Sequence, residues 1–236
     1  MAEFTMAVAG FSVAVQSLFD STRDYCRDYL TDASPQFSLA VTPDDLTAEQ
    51  QWLDAEADRE GLRRRVFAQP FLERNFLQRH IARLLLPQGV VLLHGSAVAL
   101  QGNGYLFCAP CGTGKSTHAR LWREHLGAVA VNDDKPFLRI TQQGVLLCGS
   151  PWMGKHGLGQ NMTVPLKGIC ILSRGSENRI TPLSPDQASP LLLPHCSHPE
   201  HSQDLLNMLT SPIDLWQLQC TPTPEAAHIA HNAMHR

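Results

Sequence analysis

Residues 109–117 constrain the fold of this chain more than any other segment. They follow the apolar run 105–108, which is typical of a buried strand, and precede a helical pattern over 116–126 that Gly127 ends. A glycine-rich loop in this position can aim several backbone N–H groups at one anion, beside the positive end of a helix. The order of strand, loop and helix therefore predicts a phosphate-binding loop, although the loop residues alone would also fit an ordinary glycine-rich turn.

The residue types in this loop predict that the bound phosphates belong to a nucleoside triphosphate. Lys115 is expected to bridge the β- and γ-phosphates, and the Ser116 hydroxyl to supply an oxygen ligand to a phosphate-bound Mg²⁺. Ala109 stands where the usual pattern has its first glycine. The residues predicted to surround the nucleotide are Ala109, Pro110, Cys111, Gly112, Thr113, Gly114, Lys115, Ser116 and Thr117.

Two adjacent carboxylates, Asp133 and Asp134, follow the apolar run 128–131. A carboxylate at the end of a strand, beside a phosphate loop, can hold Mg²⁺ directly or through water. Successive side chains of a strand alternate sides, so one carboxylate can face the metal and the other the acceptor. Two like charges this close also raise the pKa of one of them, which suits a proton acceptor for an attacking hydroxyl. An acidic turn without a function is the alternative that the bare pair leaves open.

Length and charge narrow the choice of partners. The 236 residues suffice for one large domain or for a domain with a small appendage, and the formal net charge is −3. This charge gives no reason to expect nucleic acid or an anionic membrane as the main partner. No apolar run reaches the roughly 18 residues of a membrane span, and the N-terminus lacks the features of a signal peptide. We therefore expect a cytoplasmic protein.

Cysteine and histidine suggest two further hypotheses. Cys108 and Cys111 have the spacing of a redox motif, but Cys111 lies inside the phosphate loop, which favours packing roles for both. The seven cysteines otherwise show no disulfide or zinc spacing. A zinc site stays open as an alternative, although neither of two candidate groups has a recognised ligand spacing. The first group is His195, Cys196, His198 and His201, and the second is His228, His231 and His235.

Hydrophobic patterns divide the chain near Pro87. Residues 1–87 predict a small α+β appendage, with strands at 4–8, 11–15 and 37–41, a solvated acidic helix over 44–60 and a helix that Pro87 ends. Residues 88–236 predict an α/β domain. Its strands are expected at 90–93, 97–100, 105–108, 128–131, 137–140, 145–148, 168–172 and 215–218, and its helices at 116–126, 184–193, 202–209 and 224–234. Because strands and helices do not alternate regularly, we expect a mixed sheet.

The motifs of residues 90–172 resemble those of bacterial HPr kinase/phosphorylase in their order and spacing. The residues that carry the resemblance are His94-Gly95, Gly102, Gly104, the loop core Cys111-Gly112-Thr113-Gly114-Lys115-Ser116, and Asp133-Asp134. The loop core also resembles that of ATP-dependent phosphoenolpyruvate carboxykinase. Segments 117–124, 132–136 and 149–155 look closest to HPr-kinase-like proteins that are found beside bacterial peptide-modification genes. The resemblance implies a P-loop domain of the HPr kinase and carboxykinase type, and it permits a homo-oligomer.

The resemblance also implies roles for individual residues. Asp133 matches the family's catalytic base, and Asp134 its metal-side carboxylate. His94 is expected to pair with Asp133 and to orient or tune it. The family's Glu-x-Arg-Gly-x-Gly signature, linked to dephosphorylation, is absent from residues 152–159. We therefore do not expect phosphorylase activity, and assign Lys155 to charge stabilisation on the transferring phosphoryl group.

The leading hypothesis is an ATP- and Mg²⁺-dependent kinase that acts on a hydroxyl group of serine in a peptide or small protein. Its catalytic residues would be Asp133, His94, Lys115 and Lys155, and its metal ligands Ser116 and Asp134, with Asp133 as a further candidate. Two alternatives stay open: a nucleotide-binding sensor with little transfer activity, and a kinase for a free small metabolite.

Overall fold

The computed structural model describes residues 1–235. It divides into two compact units, one that spans Met1–Leu84 and one that begins at Leu85. The strands are β1 (Ala2–Val8), β2 (Phe11–Ser17), β3 (Phe37–Ala40), β4 (Val90–Leu92), β5 (Ser96–Leu100), β6 (Asn103–Cys108), β7 (Val129–Asn132), β8 (Phe137–Thr141), β9 (Gly144–Cys148), β10 (Thr163–Arg174), β11 (Arg179–Pro182) and β12 (Asp214–Cys220). The helices are α1 (Asp20–Tyr25), α2 (Pro43–Arg59), α3 (Gln69–Leu85), α4 (Lys115–Leu126), α5 (Pro185–Leu192), α6 (Gln203–Thr210) and α7 (Pro224–Met234).

The first unit contains a three-stranded sheet in the order β1-β2-β3. Strands β1 and β2 form an antiparallel hairpin whose two turn residues, Ala9 and Gly10, have positive φ angles of 50° and 79°. This conformation matches the twist of a hairpin. Helix α2 is less solvated than its acidic sequence predicts, because the carboxylate of Glu49 is buried and accepts hydrogen bonds from Asn75 and Arg79 of α3.

The second unit is built on a nine-stranded mixed sheet. Its main path runs in the order β4-β8-β9-β10-β6-β5-β7, and β12 pairs with both β10 and β11. Strand β10 runs parallel to β6 and β12, whereas β5 is antiparallel to its neighbours β6 and β7. The predicted mixed α/β architecture is therefore confirmed. The assignment of this unit as a P-loop kinase domain of residues 88–236 stays a prediction.

Two apolar clusters form the core of this unit. One contains Trp122 of α4 and Met234 of α7, which pack with Tyr105 and Phe107 of β6. The other contains the apolar side chains of α5 and α6, and it includes Leu106 of β6. Residues 105–107 thus contribute alternately to the two clusters, as expected for a strand buried between them. Burial in both directions fixes the end of β6, where the predicted phosphate loop begins.

Three features differ from the sequence-based predictions. Strand β10 begins at Thr163 rather than at Gly168, and its first residues pair with β9. Pro165 and Lys167 interrupt its apolar pattern, which hid this extension. Helix α1 and strand β11 were not predicted at all, because each is short and mostly polar.

Candidate active site

Two glycines give the loop between β6 and α4 an unusual backbone conformation. Gly112 and Gly114 have φ angles of 76° and 124°, which side chains of L-residues rarely permit. Ala109 is fully buried at the start of the loop, so the residue that replaces the usual first glycine packs into the core. Arg174, at the end of β10, donates a hydrogen bond of 2.6 Å to the Gly112 carbonyl and ties the loop to the sheet.

The ammonium group of Lys115 is buried and forms no direct ion pair with a carboxylate among residues 1–235. Only 8% of the Lys115 surface is exposed, and its Nζ donates to the Ala109 carbonyl at 2.8 Å. No carboxylate of the described residues forms an ion pair with it. A buried cation without a carboxylate in direct contact is costly, and the positive end of α4 adds to the potential there. This part of the loop is therefore suited to an anion.

His118 anchors the first turns of α4. Its Nε2 accepts a hydrogen bond of 3.0 Å from Trp122 Nε1, and its ring contacts the Phe107 ring edge-on. Burial lowers the pKa of His118 to about 4, so the imidazole is neutral near pH 7. The sequence-based predictions assigned no role to this residue. Its i, i+4 spacing to Trp122 on an apolar helix face is the signal that could have indicated a structural contact.

The buried amide of Asn132 shapes the turn that carries the two carboxylates. Its Oδ1 accepts from the backbone N–H groups of Asp134 and Lys135 at 2.8 and 2.6 Å. Its Nδ2 donates to the Ser150 carbonyl at 2.9 Å. Asn132 thereby connects the end of β7 to the segment that follows β9, and it positions Asp133 and Asp134 without being exposed itself.

Asp133 contacts the loop that contains Lys155. Its Oδ1 accepts a hydrogen bond of 2.6 Å from the Gly154 N–H. A Cβ atom at position 154 would lie 3.3 Å from Asp133 Oδ2, so a residue without a side chain allows this close approach. The backbone carbonyl of Asp133 accepts from Ser96 Oγ at 3.1 Å.

His94 pairs with Asp134 rather than with Asp133. The distance from His94 Nε2 to Asp134 Oδ1 is 3.2 Å, so the predicted pairing of His94 with Asp133 is wrong. The physical reason is the turn at Asn132, together with a hydrogen bond from the Gly95 N–H to the Asp134 carbonyl, which brings Asp134 to the end of β4.

The environment of Asp134 favours its ionised form. Burial raises the pKa of Asp134, whereas the hydrogen bond from His94 lowers it. The positive charges of Lys135 and Lys115 lower it further, and the resulting pKa lies below the ordinary value of 3.8. The expected rise in pKa from two adjacent carboxylates thus does not apply to Asp134. A carboxylate that stays ionised fits the metal side of the site better than proton transfer.

The histidine-rich segment after α5 brings His195 close to the same groups. The backbone N–H of His94 donates a hydrogen bond of 2.7 Å to the His195 carbonyl, and the backbones of Leu93 and Cys196 form an antiparallel bridge. Burial, together with the positive charges of Lys115 and His94, lowers the pKa of His195 to about 4. Sequence spacing alone could not have shown this proximity, because about one hundred residues separate the two histidines.

A cleft of about 620 Å³ is lined by His94, Lys115, Asp133 and Asp134. Ten of its lining residues were predicted as site residues: His94, Cys111, Gly112, Gly114, Lys115, Ser116, Thr117, Asp133, Asp134 and Lys155. The side chain of Ala109 faces the core instead, and neither Pro110 nor Thr113 lines the cleft. Arg120, Arg123 and His156 also line it and were not predicted.

The predicted metal ligands fit Mg²⁺ in their chemistry. Ser116 and Asp134 line one cleft and offer the oxygen donors that this ion prefers, and phosphate and water oxygens commonly complete such a site. Within residues 1–235, no group of three or more His, Cys, Asp or Glu side chains is arranged to hold a metal ion by itself. The ring of His231 in α7 stacks on that of His235, which follows the helix, and His235 Nδ1 lies 2.9 Å from the Tyr105 hydroxyl.

No protein-family model matches this chain, and no curated protein matches it either. Among solved structures, the chain is similar to the HPr(Ser) kinase/phosphatase from Coxiella burnetii. The match covers 61% of this chain and 93% of that chain, with 10% sequence identity and a TM-score of 0.37. A sequence identity and a TM-score this low do not assign a family or an activity to this chain. Within residues 1–235, no helix combines the length and the apolar character that a membrane crossing requires.

Proposed function

We propose that this chain is an ATP- and Mg²⁺-dependent kinase that transfers the γ-phosphoryl group of ATP to a hydroxyl group, with serine of a peptide or small protein as the acceptor. One observation carries the proposal. The buried ammonium of Lys115 forms no direct ion pair with a carboxylate of the described residues, and it lines the same cleft as the Asp133 and Asp134 carboxylates. A cation beside two carboxylates is the arrangement that phosphoryl transfer requires.

The phosphate loop supports a triphosphate as the donor. The positive φ angles of Gly112 and Gly114 let backbone N–H groups converge, and α4 begins directly after them at Lys115. When a triphosphate binds, Lys115 would exchange the Ala109 carbonyl for phosphate oxygens. These negatively charged oxygens compensate the ammonium charge much better than a neutral carbonyl does. The Ser116 hydroxyl and the Asp134 carboxylate would hold Mg²⁺. When bound, this ion would neutralise part of the phosphate charge.

Asp133 is the proposed general base. The Gly154 N–H fixes one of its oxygens at 2.6 Å, which leaves the other oxygen to accept a proton from the acceptor hydroxyl. In the transfer step the acceptor oxygen bonds to the γ-phosphorus, the bond from that phosphorus to the bridging oxygen breaks, and ADP leaves. The hydroxyl proton passes to Asp133. Lys155 would stabilise the negative charge on the transferring group.

Binding and transfer measurements with matched lysine variants test this function. We expect the wild type to bind a non-hydrolysable ATP analogue with Mg²⁺ in calorimetry, and Lys115→Met to bind at least about tenfold more weakly. Lys167→Met is the control, because Lys167 pairs with Asp214 and does not line the cleft. Equal binding by Lys115→Met and the wild type would refute the argument from the buried ammonium.

The acceptor class is tested with γ-labelled ATP, a pool of serine peptides and free serine. Label on a peptide supports the proposal. Label found only as inorganic phosphate would favour the nucleotide sensor, and label on free serine would favour the metabolite kinase.

A further inference from the structure

The walls of the cleft carry positive charge beyond the Lys115 ammonium at the start of α4. Beyond Lys115, the cleft is lined by Arg120 and Arg123 of α4 and by Lys155 and His156 of the loop after β9. The only carboxylates among the described lining residues are Asp133 and Asp134, which are held by Gly154 and His94. The whole chain has a formal net charge of −3, so this cluster runs against the overall charge.

The cations of α4 form a row that leads away from the phosphate loop. Ser116, Arg120 and Arg123 are spaced i, i+4 and i+7, which places them on one face of the helix. At 1.5 Å per residue, Arg120 and Arg123 lie roughly 6 and 10 Å along the axis from Ser116. The same cleft is lined by Ala130 of β7 and, in the loop after β9, by Gly154, Lys155, His156 and Leu158. The row therefore extends along α4 beyond its first turn, which carries Lys115 and Ser116.

Two of these cations have no charge partner. Arg123 is half-buried and Lys155 is exposed, and neither forms an ion pair with any residue in 1–235. Arg120 pairs with Glu124 at 3.0 Å, but both side chains are about half exposed, so the pair is weak and easily exchanged. A half-buried guanidinium that lines a cleft and lacks a carboxylate is suited to an anionic ligand.

We propose that these cations select an acidic acceptor, namely a peptide in which carboxylate side chains lie two or three residues from the phosphorylated serine. This inference rests on the proposed kinase function. An extended peptide advances about 3.3 Å per residue, so positions two and three residues from the serine lie roughly 6 to 10 Å away. The rise along α4 from Ser116, which would hold Mg²⁺ beside the phosphates, to Arg120 and Arg123 is of the same size. Lys155 and His156 belong to the loop that lines the cleft with them.

Peptide binding tests the selection directly, without a need for turnover. The probes are fluorescent alanine-based peptides with amidated ends and a single serine, carrying two Asp residues at the second and third positions after the serine, or before it. A matched peptide carries Asn in place of Asp. Binding is measured by anisotropy with the wild type in the presence of Mg²⁺ and a non-hydrolysable ATP analogue. We expect one Asp peptide to bind about tenfold or more tightly than the Asn peptide, with a difference that shrinks as salt is raised.

Arginine variants locate the selection. Arg123→Gln is expected to remove most of the preference for Asp while it leaves the affinity for the ATP analogue within about twofold. Glu124→Gln is expected to strengthen binding of the Asp peptide, because it removes the carboxylate that pairs with Arg120. Arg179→Gln is the control, since Arg179 is exposed, pairs with Glu177 and lies outside the cleft.

Two results would overturn the inference. The first is equal binding of the Asp and Asn peptides by the wild type. The second is a loss of affinity for the ATP analogue, rather than for the peptide, in Arg123→Gln, which would assign this cation to the nucleotide. A wild type that does not bind the ATP analogue at all would instead refute the proposed kinase function, so the two failures are distinguishable.

Discussion

The imidazole of His94 and the carboxylate of Asp134 lie 3.2 Å apart at the ends of two different strands, β4 and β7. The two strands are not neighbours in the sheet. Main-chain hydrogen bonds hold both ends in place, from Gly95 to the Asp134 carbonyl and from His94 to the His195 carbonyl. The pair keeps one carboxylate of the site ionised and leaves the other, Asp133, to interact with the loop after β9.

Replacement of His94 by Ala should raise the pKa of Asp134. The hydrogen bond from His94 lowers this pKa, and burial, which raises it, would remain in the variant. Carboxyl-detected NMR titration of the protein without nucleotide and Mg²⁺ measures the change. His228→Ala, an exposed position on α7, is the control. An unchanged titration of Asp134 in His94→Ala would mean that the pair has no electrostatic effect.

The His94–Asp134 pair also predicts how the free energy of unfolding depends on pH. Because the folded state lowers the pKa of Asp134, the unfolded state binds its proton more readily. The contribution of Asp134 to the free energy of unfolding is therefore present above the ordinary value of 3.8 and is lost as the pH falls through the lowered value. His94→Ala should lose less stability across this acid range than the wild type, as measured by urea unfolding.

Asp133→Asn should stop transfer while nucleotide binding stays close to that of the wild type. The amide oxygen of Asn can still accept from the Gly154 N–H, so the loop should keep its position, but the amide cannot take the hydroxyl proton. Loss of a general base lowers rates by about 10²- to 10⁴-fold. Single-turnover transfer and calorimetry measure the two effects, with Asp204→Asn on the surface of α6 as the control. Full transfer by Asp133→Asn would exclude Asp133 as the base.

His118 should make the protein less stable as the pH falls from 6.5 to 4. Its pKa falls from 6.5 to about 4 on folding, so the unfolded state takes up a proton in this range and the folded state does not. Stability from this source is complete above pH 6.5 and is reduced by on the order of 2 kcal/mol at pH 5. His118→Gln keeps an acceptor for Trp122 but does not titrate. The difference in urea midpoint between pH 7.5 and pH 5 should therefore shrink in this variant, and an equal difference would contradict the assignment.

Asn132→Ala should destabilise the chain by about 2 to 3 kcal/mol, because the partly buried N–H groups of Asp134 and Lys135 lose their acceptor. Transfer should fall as well, since the turn that carries both carboxylates depends on this side chain. Asn207→Ala, at an exposed position of α6, provides the matched control in urea unfolding. If Asn132→Ala is as stable as that control, water or other groups replace the amide.

Local patterns predicted most elements of the second unit. The apolar runs at 90–93 and 105–108 correspond to β4 and β6, and the pattern at 224–234 corresponds to α7. The glycines at 112 and 114 were predicted from the chemistry of phosphate binding, and both have the left-handed φ angles that only glycine adopts readily. These predictions succeeded because strand, helix and turn preferences depend on neighbouring residues.

Long-range pairings were not predictable in the same way. The proximity of His195 to His94 results from a backbone bridge between Leu93 and Cys196, and nothing in the local sequence of either segment indicates it. Arg120 and Arg123 look like solvated residues of an amphipathic helix until the loop with Lys155 and His156 is found on the same cleft. The extension of β10 across Pro165 likewise depends on its partner β9.

The sequence by itself determined the two left-handed glycines before α4, the mixed α/β class and the presence of two carboxylates at the end of a strand. Only the tertiary structure decided which carboxylate His94 contacts, which histidines lie near the loop and which arginines face the cleft. The physical reason is that backbone preferences and periodic burial act over a few residues, whereas the ion pair and the cleft arise where strand ends from distant segments meet.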